Sequence, residues 1–191
     1  STFPEGRMVI YPMKAENRRL EKRKELIKSL KEDYPFCTDL SKLETSGDFL
    51  EGTGSLIIDH ENKCAYASLS ARTSLHALQQ WEKCTGYRII SFIANDENGF
   101  PVYHTNVIMT LAEKFAILCS EAIVNDDRER IVAEIKNSGR ELITITYEQT
   151  RNFCATLCFI LCSLLLLLIG YYLAVCTALG FNIIMALVKH V

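Results

Sequence analysis

An excess of basic charge is missing from this sequence. Its 191 residues carry 21 lysines and arginines against 23 aspartates and glutamates, a formal net charge of −2. The electrostatic footprint of a nucleic-acid binder is therefore absent, and no nucleic-acid partner is expected. The start has no secretory leader, and the eight cysteines follow no regular spacing. These two absences argue against a disulfide framework and for reduced thiols in a cytosolic setting. The first residue is Ser1 rather than methionine, as expected of a processed chain or a piece of a longer one.

Charge then disappears altogether. Residues 152–188 contain no Asp, Glu, Lys or Arg, a run well beyond the roughly 18 to 20 apolar residues that cross a bilayer. Only Lys189 among the charged residues lies beyond Arg151, so residues 1–151 hold 20 basic and 23 acidic groups, a balance of about −3. Composition thus divides the chain into a soluble domain, 1–151, and a hydrophobic membrane-anchor tail, 152–191. The tail is expected to cross a membrane once as a helix, since backbone groups cannot stay unpaired in hydrocarbon. Arg140 and Arg151 flank its near end and place the soluble part in the cytosol. A tail translated from non-coding sequence is the alternative, and it leaves the chain cytoplasmic. Cys154, Cys158 and Cys162 recur every four residues along that helix. Such a stripe lacks the ligand number and closing geometry of a metal site, so no metal is expected there. Small, polarizable packing residues are the leading interpretation.

The soluble part contains one supersecondary unit twice. In the first copy, apolar runs at 54–59 and 64–69 flank the turn His60-Glu61-Asn62-Lys63. A helical pattern capped by Thr73 or Ser74 follows, with Leu75, Leu78 and Trp81 on one face and Trp81 as a core anchor, and then a strand at 87–94. The second copy has runs at 106–110 and 114–118, a helix at 126–138 capped by Asn125 and closed by Gly139, and a strand at 141–147. Lys63 matches Lys114 and Gly86 matches Gly139, a period of about 52 residues. The opening segment repeats only the last three elements, as a strand at 7–11, one helix at 17–32 and a strand at 36–40. Its first strand is therefore expected before Ser1.

Two chemical groups stand at matching places. Glu51 and His104 precede the first strands of the two copies, and equivalent positions of repeated units converge at one end of a shared axis. A carboxylate beside an imidazole can bind a cation and move protons near neutral pH. Gly52-Thr53-Gly54 leads into a strand rather than a helix N-terminus, so no nucleotide cofactor is expected.

Three stretches carry a family resemblance: Gly6-Arg7-Met8-Val9-Ile10-Tyr11-Pro12-Met13 followed by Asn17-Arg18-Arg19-Leu20-Glu21, then Leu50-Glu51-Gly52-Thr53-Gly54-Ser55, then Tyr103-His104-Thr105-Asn106-Val107. Over about residues 1–154 the chain resembles the pentein superfamily, specifically the arginine deiminase-related amidinotransferase family with its citrulline-hydrolysing members. The resemblance implies an α/β fold, a partial pentein-type propeller of ββαβ units, followed here by the C-terminal transmembrane helix. In that family a cysteine attacks the guanidinium or ureido carbon, a histidine transfers protons and carboxylates hold the substrate. By resemblance, Glu51 is the substrate-facing carboxylate and His104 the general acid/base. Asn106 is a substrate contact, neutral where related deiminases carry aspartate. The implied ligand is a small guanidino or ureido compound such as arginine or citrulline, with no cofactor. The family's nucleophilic cysteine belongs near the end of a fifth unit, and no cysteine of this chain occupies its motif. The resemblance therefore implies a guanidino- or ureido-group hydrolase or transferase that is inactive at this length. The alternative is a non-catalytic, membrane-anchored binding protein of the same fold.

Overall fold

A computed structural model of the chain describes residues 1–152. Nine strands form three separate three-stranded sheets among these residues. The first holds β1 (Thr2–Phe3), β2 (Arg7–Ile10) and β3 (Phe36–Asp39); the second β4 (Ile57–Asp59), β5 (Cys64–Ser68) and β6 (Arg88–Phe92); the third β7 (Met109–Leu111), β8 (Phe115–Leu118) and β9 (Glu141–Thr144). In each sheet the middle strand pairs antiparallel with the first and parallel with the third. A short turn makes the antiparallel pair. The parallel pair needs a crossover, supplied by α2 (Lys24–Asp33), α3 (Leu75–Thr85) and α4 (Asn125–Asn137). Two short helices, α1 (Glu16–Arg19) and α5 (Tyr147–Arg151), complete the regular structure.

Several expectations are corrected. In place of the expected partial propeller, the described residues form three separate sheets and no closed propeller. No helix among the described residues is long and apolar enough to cross a membrane. The transmembrane helix expected for 152–191, with Cys154, Cys158 and Cys162, falls beyond Asn152 and so lies outside the described residues. The opening unit does have its first strand, since Thr2 and Phe3 pair with Met8 and Arg7 across a turn in which Gly6 takes φ +72°. Its single expected helix is two. Arg19 turns its guanidinium to the Met13 and Lys14 carbonyls, and Lys22 pairs with Glu44, while Arg23 is extended at φ −68°, ψ 129°. Helix propensity is a weak prior against such tertiary contacts.

The second copy shifts in the same way. Residues 105–107 form a 3₁₀ turn before β7, and Val124, not Asn125, is the N-cap of α4. The final strand stops at Thr144 because Thr146 and Gln149 form a capping box that starts α5.

The described chain divides into two compact units. One comprises Ser1–Ile93 with Pro101–Thr105, and the other Ala94–Phe100 with 106–152. The first unit has its core around Trp81, which is fully buried and packs against Phe3 and Tyr87 at ring-centroid distances of 6.1 and 6.0 Å. Its Nε1 donates to the Tyr11 hydroxyl at 3.2 Å, so the indole's one polar group is satisfied. In the second unit β8 is buried throughout, and Ile131 and Ile135 of α4 are fully buried.

Candidate active site

Leu50 fixes the position of the site's carboxylate. It is fully buried and bridges to Thr73, while its amide donates to the Pro12 carbonyl. The next residue, Glu51, begins the 3₁₀ turn Gly52–Gly54, and Gly52 there takes φ +58°, a conformation open to glycine. Glu51 is thereby turned inward and is 2% exposed. An ionised carboxylate in such a place needs partners. Its Oε1 accepts from the Lys14 amide at 3.0 Å and the Ala15 amide at 3.3 Å. Its Oε2 meets His104 Nε2 at 2.8 Å and Arg72 Nη1 at 3.1 Å, with Arg18 Nη1 farther off at 3.9 Å.

His104 comes from a separate segment, 101–105, and is 9% exposed. Its imidazole lies close against Gly54: a Cβ on that glycine would sit 3.1 Å from Nδ1 and Cε1. The Tyr103 ring covers it from one side, with centroids 4.9 Å apart, and Tyr103 in turn lies 5.4 Å from the Arg72 guanidinium, within cation–π range. Two buried hydroxyls join these pieces. Thr105 Oγ1 donates to the Ser55 carbonyl at 2.5 Å and accepts from the Ser68 amide at 2.8 Å. Ser55 Oγ accepts from the Glu51 amide at 3.1 Å and donates to the Arg72 carbonyl at 3.2 Å.

The electrostatics follow from this geometry. Burial pushes the Glu51 carboxyl up, but His104, the Ala15 amide and Arg72 together outweigh it and hold the group below its ordinary value. For His104 burial dominates and lowers the pKa; Glu51 opposes the change, and Arg72 and Arg18 reinforce it. The pair is thus a carboxylate and a neutral imidazole at neutral pH. Because a carboxylate only accepts, the shared hydrogen belongs to Nε2, which leaves the Nδ1 lone pair as the basic atom. Such a pair can hold a cationic or N–H-rich group and exchange a proton with it.

The structure therefore brings Glu51 and His104 together. Asn106 follows two residues after His104 in the 3₁₀ turn 105–107, half-buried, and belongs to the second compact unit. Sequence inspection missed Arg72, Arg18, Ser55 and Thr105. Arg18, Ser55 and Thr105 lie within the stretches that carry the resemblance, but no periodic or capping pattern gives any of the four a role, and their tertiary contacts do. Of the four described cysteines, Cys64 and Cys119 are buried and Cys37 and Cys84 half-buried. Burial pushes the Cys84 and Cys119 thiols up, away from the thiolate that a nucleophile requires.

Known proteins share this architecture. The substrate-bound N-terminal domain of ArgZ, an arginine dihydrolase from cyanobacteria, superposes with a TM-score of 0.64 at 17% identity, over 81% of this chain and 54% of that one. Unliganded AgrE gives a TM-score of 0.65 at 17% identity, over 81% and 21%. At such identities the likeness concerns the fold. The chain spans about half the length of the ArgZ domain that it matches. No curated protein matches it by sequence. The sequence model of the eukaryotic N,N dimethylarginine dimethylhydrolases, however, matches residues 1–161, and the chain belongs to that family.

Proposed function

We propose that this chain carries the ligand-anchoring and proton-transferring part of a hydrolase site for guanidino or ureido compounds, with arginine, citrulline and methylated arginine as the ligand class. The buried Glu51–His104 contact at 2.8 Å carries this proposal. A guanidinium or ureido group presents several N–H donors in one plane, and a carboxylate that is ionised and buried is the acceptor that suits them. In this role Glu51 holds the ligand and His104 Nδ1 takes and returns a proton. Family membership and the fold shared with ArgZ support the same ligand class.

The described residues supply binding and proton transfer but no thiol placed for sustained turnover. Attack on a resonance-stabilised carbon needs a thiolate within reach, and Cys37, Cys64, Cys84 and Cys119 lie in β3, in β5, near the end of α3 and just past β8. In well-dissected hydrolases the loss of the nucleophile costs on the order of 10⁶ in rate. A non-catalytic guanidino-binding protein is the second reading, and the placement of these thiols favours it.

Full-length protein incubated with L-arginine, L-citrulline and N,N-dimethylarginine should bind at least one of them and release no ammonia, ornithine or dimethylamine over many equivalents. Binding should vanish in Glu51→Gln. Undiminished binding by that variant removes the anchoring role, and steady turnover that His104→Ala abolishes removes the claim of inactivity.

A further inference from the structure

We infer that Glu44 is a positioning residue for Glu51, a second carboxylate that grips residues 13–15 so that two successive amides stay aimed at the first; this rests on the anchoring role proposed for Glu51. Glu44 lies in the 3₁₀ turn Ser41–Ser46, and its side chain is 14% exposed. Its Oε1 accepts from the Met13 amide at 2.8 Å and pairs with Lys22, and its Oε2 lies 3.5 Å from Arg19 Nε. The next two amides, those of Lys14 and Ala15, donate to Glu51 Oε1 at 3.0 and 3.3 Å. Three consecutive N–H groups are thus divided between two carboxylates.

Arg19 closes the grip from the carbonyl side. Its Nε donates to the Met13 carbonyl at 2.9 Å and its Nη2 to the Lys14 carbonyl at 3.3 Å. Upstream, the Pro12 carbonyl accepts from the Leu50 amide at 2.9 Å. Residues 11–15 lie between β2 and α1 and belong to neither. No ladder or helical turn supplies their hydrogen bonds, so side chains have to satisfy these groups and fix their direction.

The consequence falls on the charge of Glu51. Successive N–H groups form a concavity that favours an anion, and donors aimed at a buried carboxylate keep it ionised. Burial pushes the Glu51 carboxyl up, and the Ala15 amide acts with His104 and Arg72 to bring it below its ordinary value. With the grip lost, the two amides drift and Oε1 loses both donors. Only His104, Arg72 and the more distant Arg18 then face the carboxylate. A carboxyl that protonates more readily is a weaker anchor for N–H donors.

Charge alone predicts the opposite sign. Deleting the Glu44 carboxylate leaves Lys22 and Arg19 uncompensated, and uncompensated positive charge lowers a nearby carboxyl pKa. The direction in which Glu51 moves therefore separates a positioning role from simple electrostatics.

The test follows the Glu51 carboxyl against pH by heteronuclear NMR of the full-length chain, its signal identified by its absence from Glu51→Gln. In Glu44→Ala the Glu51 midpoint should rise toward its ordinary 4.5, and the Lys14 and Ala15 amides should exchange faster with solvent. Glu44→Gln keeps an acceptor for the Met13 amide and should leave the midpoint at or below that of the unaltered chain. A folded Glu44→Ala whose Glu51 midpoint stays or falls overturns the proposal, since Glu44 then serves stability alone. If Glu44→Ala does not fold, Arg19→Lys decides, because it keeps the cation and loses the fork that spans both carbonyls; a rise supports the grip and no rise overturns it. Titration with methylguanidinium tests the anchor separately. If the unaltered chain binds this probe no better than Glu51→Gln, the anchoring role fails, while the Glu51 midpoints still decide what Glu44 does.

Discussion

Thr105 Oγ1 donates to the Ser55 carbonyl at 2.5 Å while accepting from the Ser68 amide at 2.8 Å, so the residue after His104 is pinned to the turn that presents Glu51. Thr105, Ser55 and Ser68 are all fully buried. Replacing Thr105 by Val keeps the shape and removes the pin, leaving a buried amide and a buried carbonyl each short of a partner, at about 1–3 kcal/mol per group. Urea denaturation should show a loss in that range, and Thr105→Ser should recover most of it. A valine variant as stable as the parent would mean that the hydroxyl has no part in holding the segment.

Gly54 makes a different contribution, that of a missing side chain. A Cβ there would approach His104 Nδ1 and Cε1 to 3.1 Å and Cγ to 3.2 Å, tighter than most packed contacts, so the ring must give way by a few tenths of an ångström and its contact with Glu51 is disturbed. Gly54→Ala should therefore keep the far-UV circular dichroism of the parent and weaken binding of guanidino ligands by about tenfold or more, a loss of about 1.4 kcal/mol. Unchanged affinity in a folded Gly54→Ala chain would show that the ring's present position is not needed for binding.

The repeated strand, strand, helix, strand order was legible from apolar periodicity and from the paired Lys63/Lys114 and Gly86/Gly139 positions, because those signals are local. Glu51 and His104 were legible as a pair through their equivalent places in the two copies and through the motifs that carry the resemblance. What sequence could not show was tertiary. The break after Arg19 depends on carbonyls at Met13 and Lys14, and the cations at Glu51 come from Arg72 and Arg18, distant in the chain and in no pattern. The strand at Thr2–Phe3 was overlooked because two residues are too few for periodicity to register. A partial propeller was expected from the repeat and the resemblance, whereas the described residues form three separate sheets.

Trp81 supports the site from behind. It is fully buried on α3 among Phe3, Tyr11 and Tyr87, and its Nε1 donates to Tyr11 Oη. Tyr11 in turn packs against Gly52, whose added Cβ would lie 3.4 Å from the Tyr11 ring. Truncation to alanine should cost about 3–5 kcal/mol through lost burial and the cavity left behind. Trp81→Phe should cost less, since it keeps most of the volume and loses one hydrogen bond. Thermal denaturation that ranks the two variants equally would mean that the indole's polar contact outweighs its volume.

Acid should weaken the fold in two steps, and the sign follows from the direction of each shift. His104 titrates below its ordinary 6.5 in the folded chain, so as pH falls through 6.5 the unfolded chain takes up a proton that the folded one refuses. Stability is full above that value and declines below it, until the folded imidazole is protonated as well. Glu51 titrates below its ordinary 4.5, so its contribution is full above 4.5 and is lost as pH drops through the lower folded value. Urea midpoints taken from pH 7.5 down to pH 4 should therefore decline once the pH nears 6.5, first from His104 and then, as it passes 4.5, from Glu51. His104→Gln should flatten the upper part of that decline and keep the lower part. A midpoint that stays level or rises between pH 7.5 and 5.5 in the unaltered chain would contradict the burial of a neutral imidazole on Glu51.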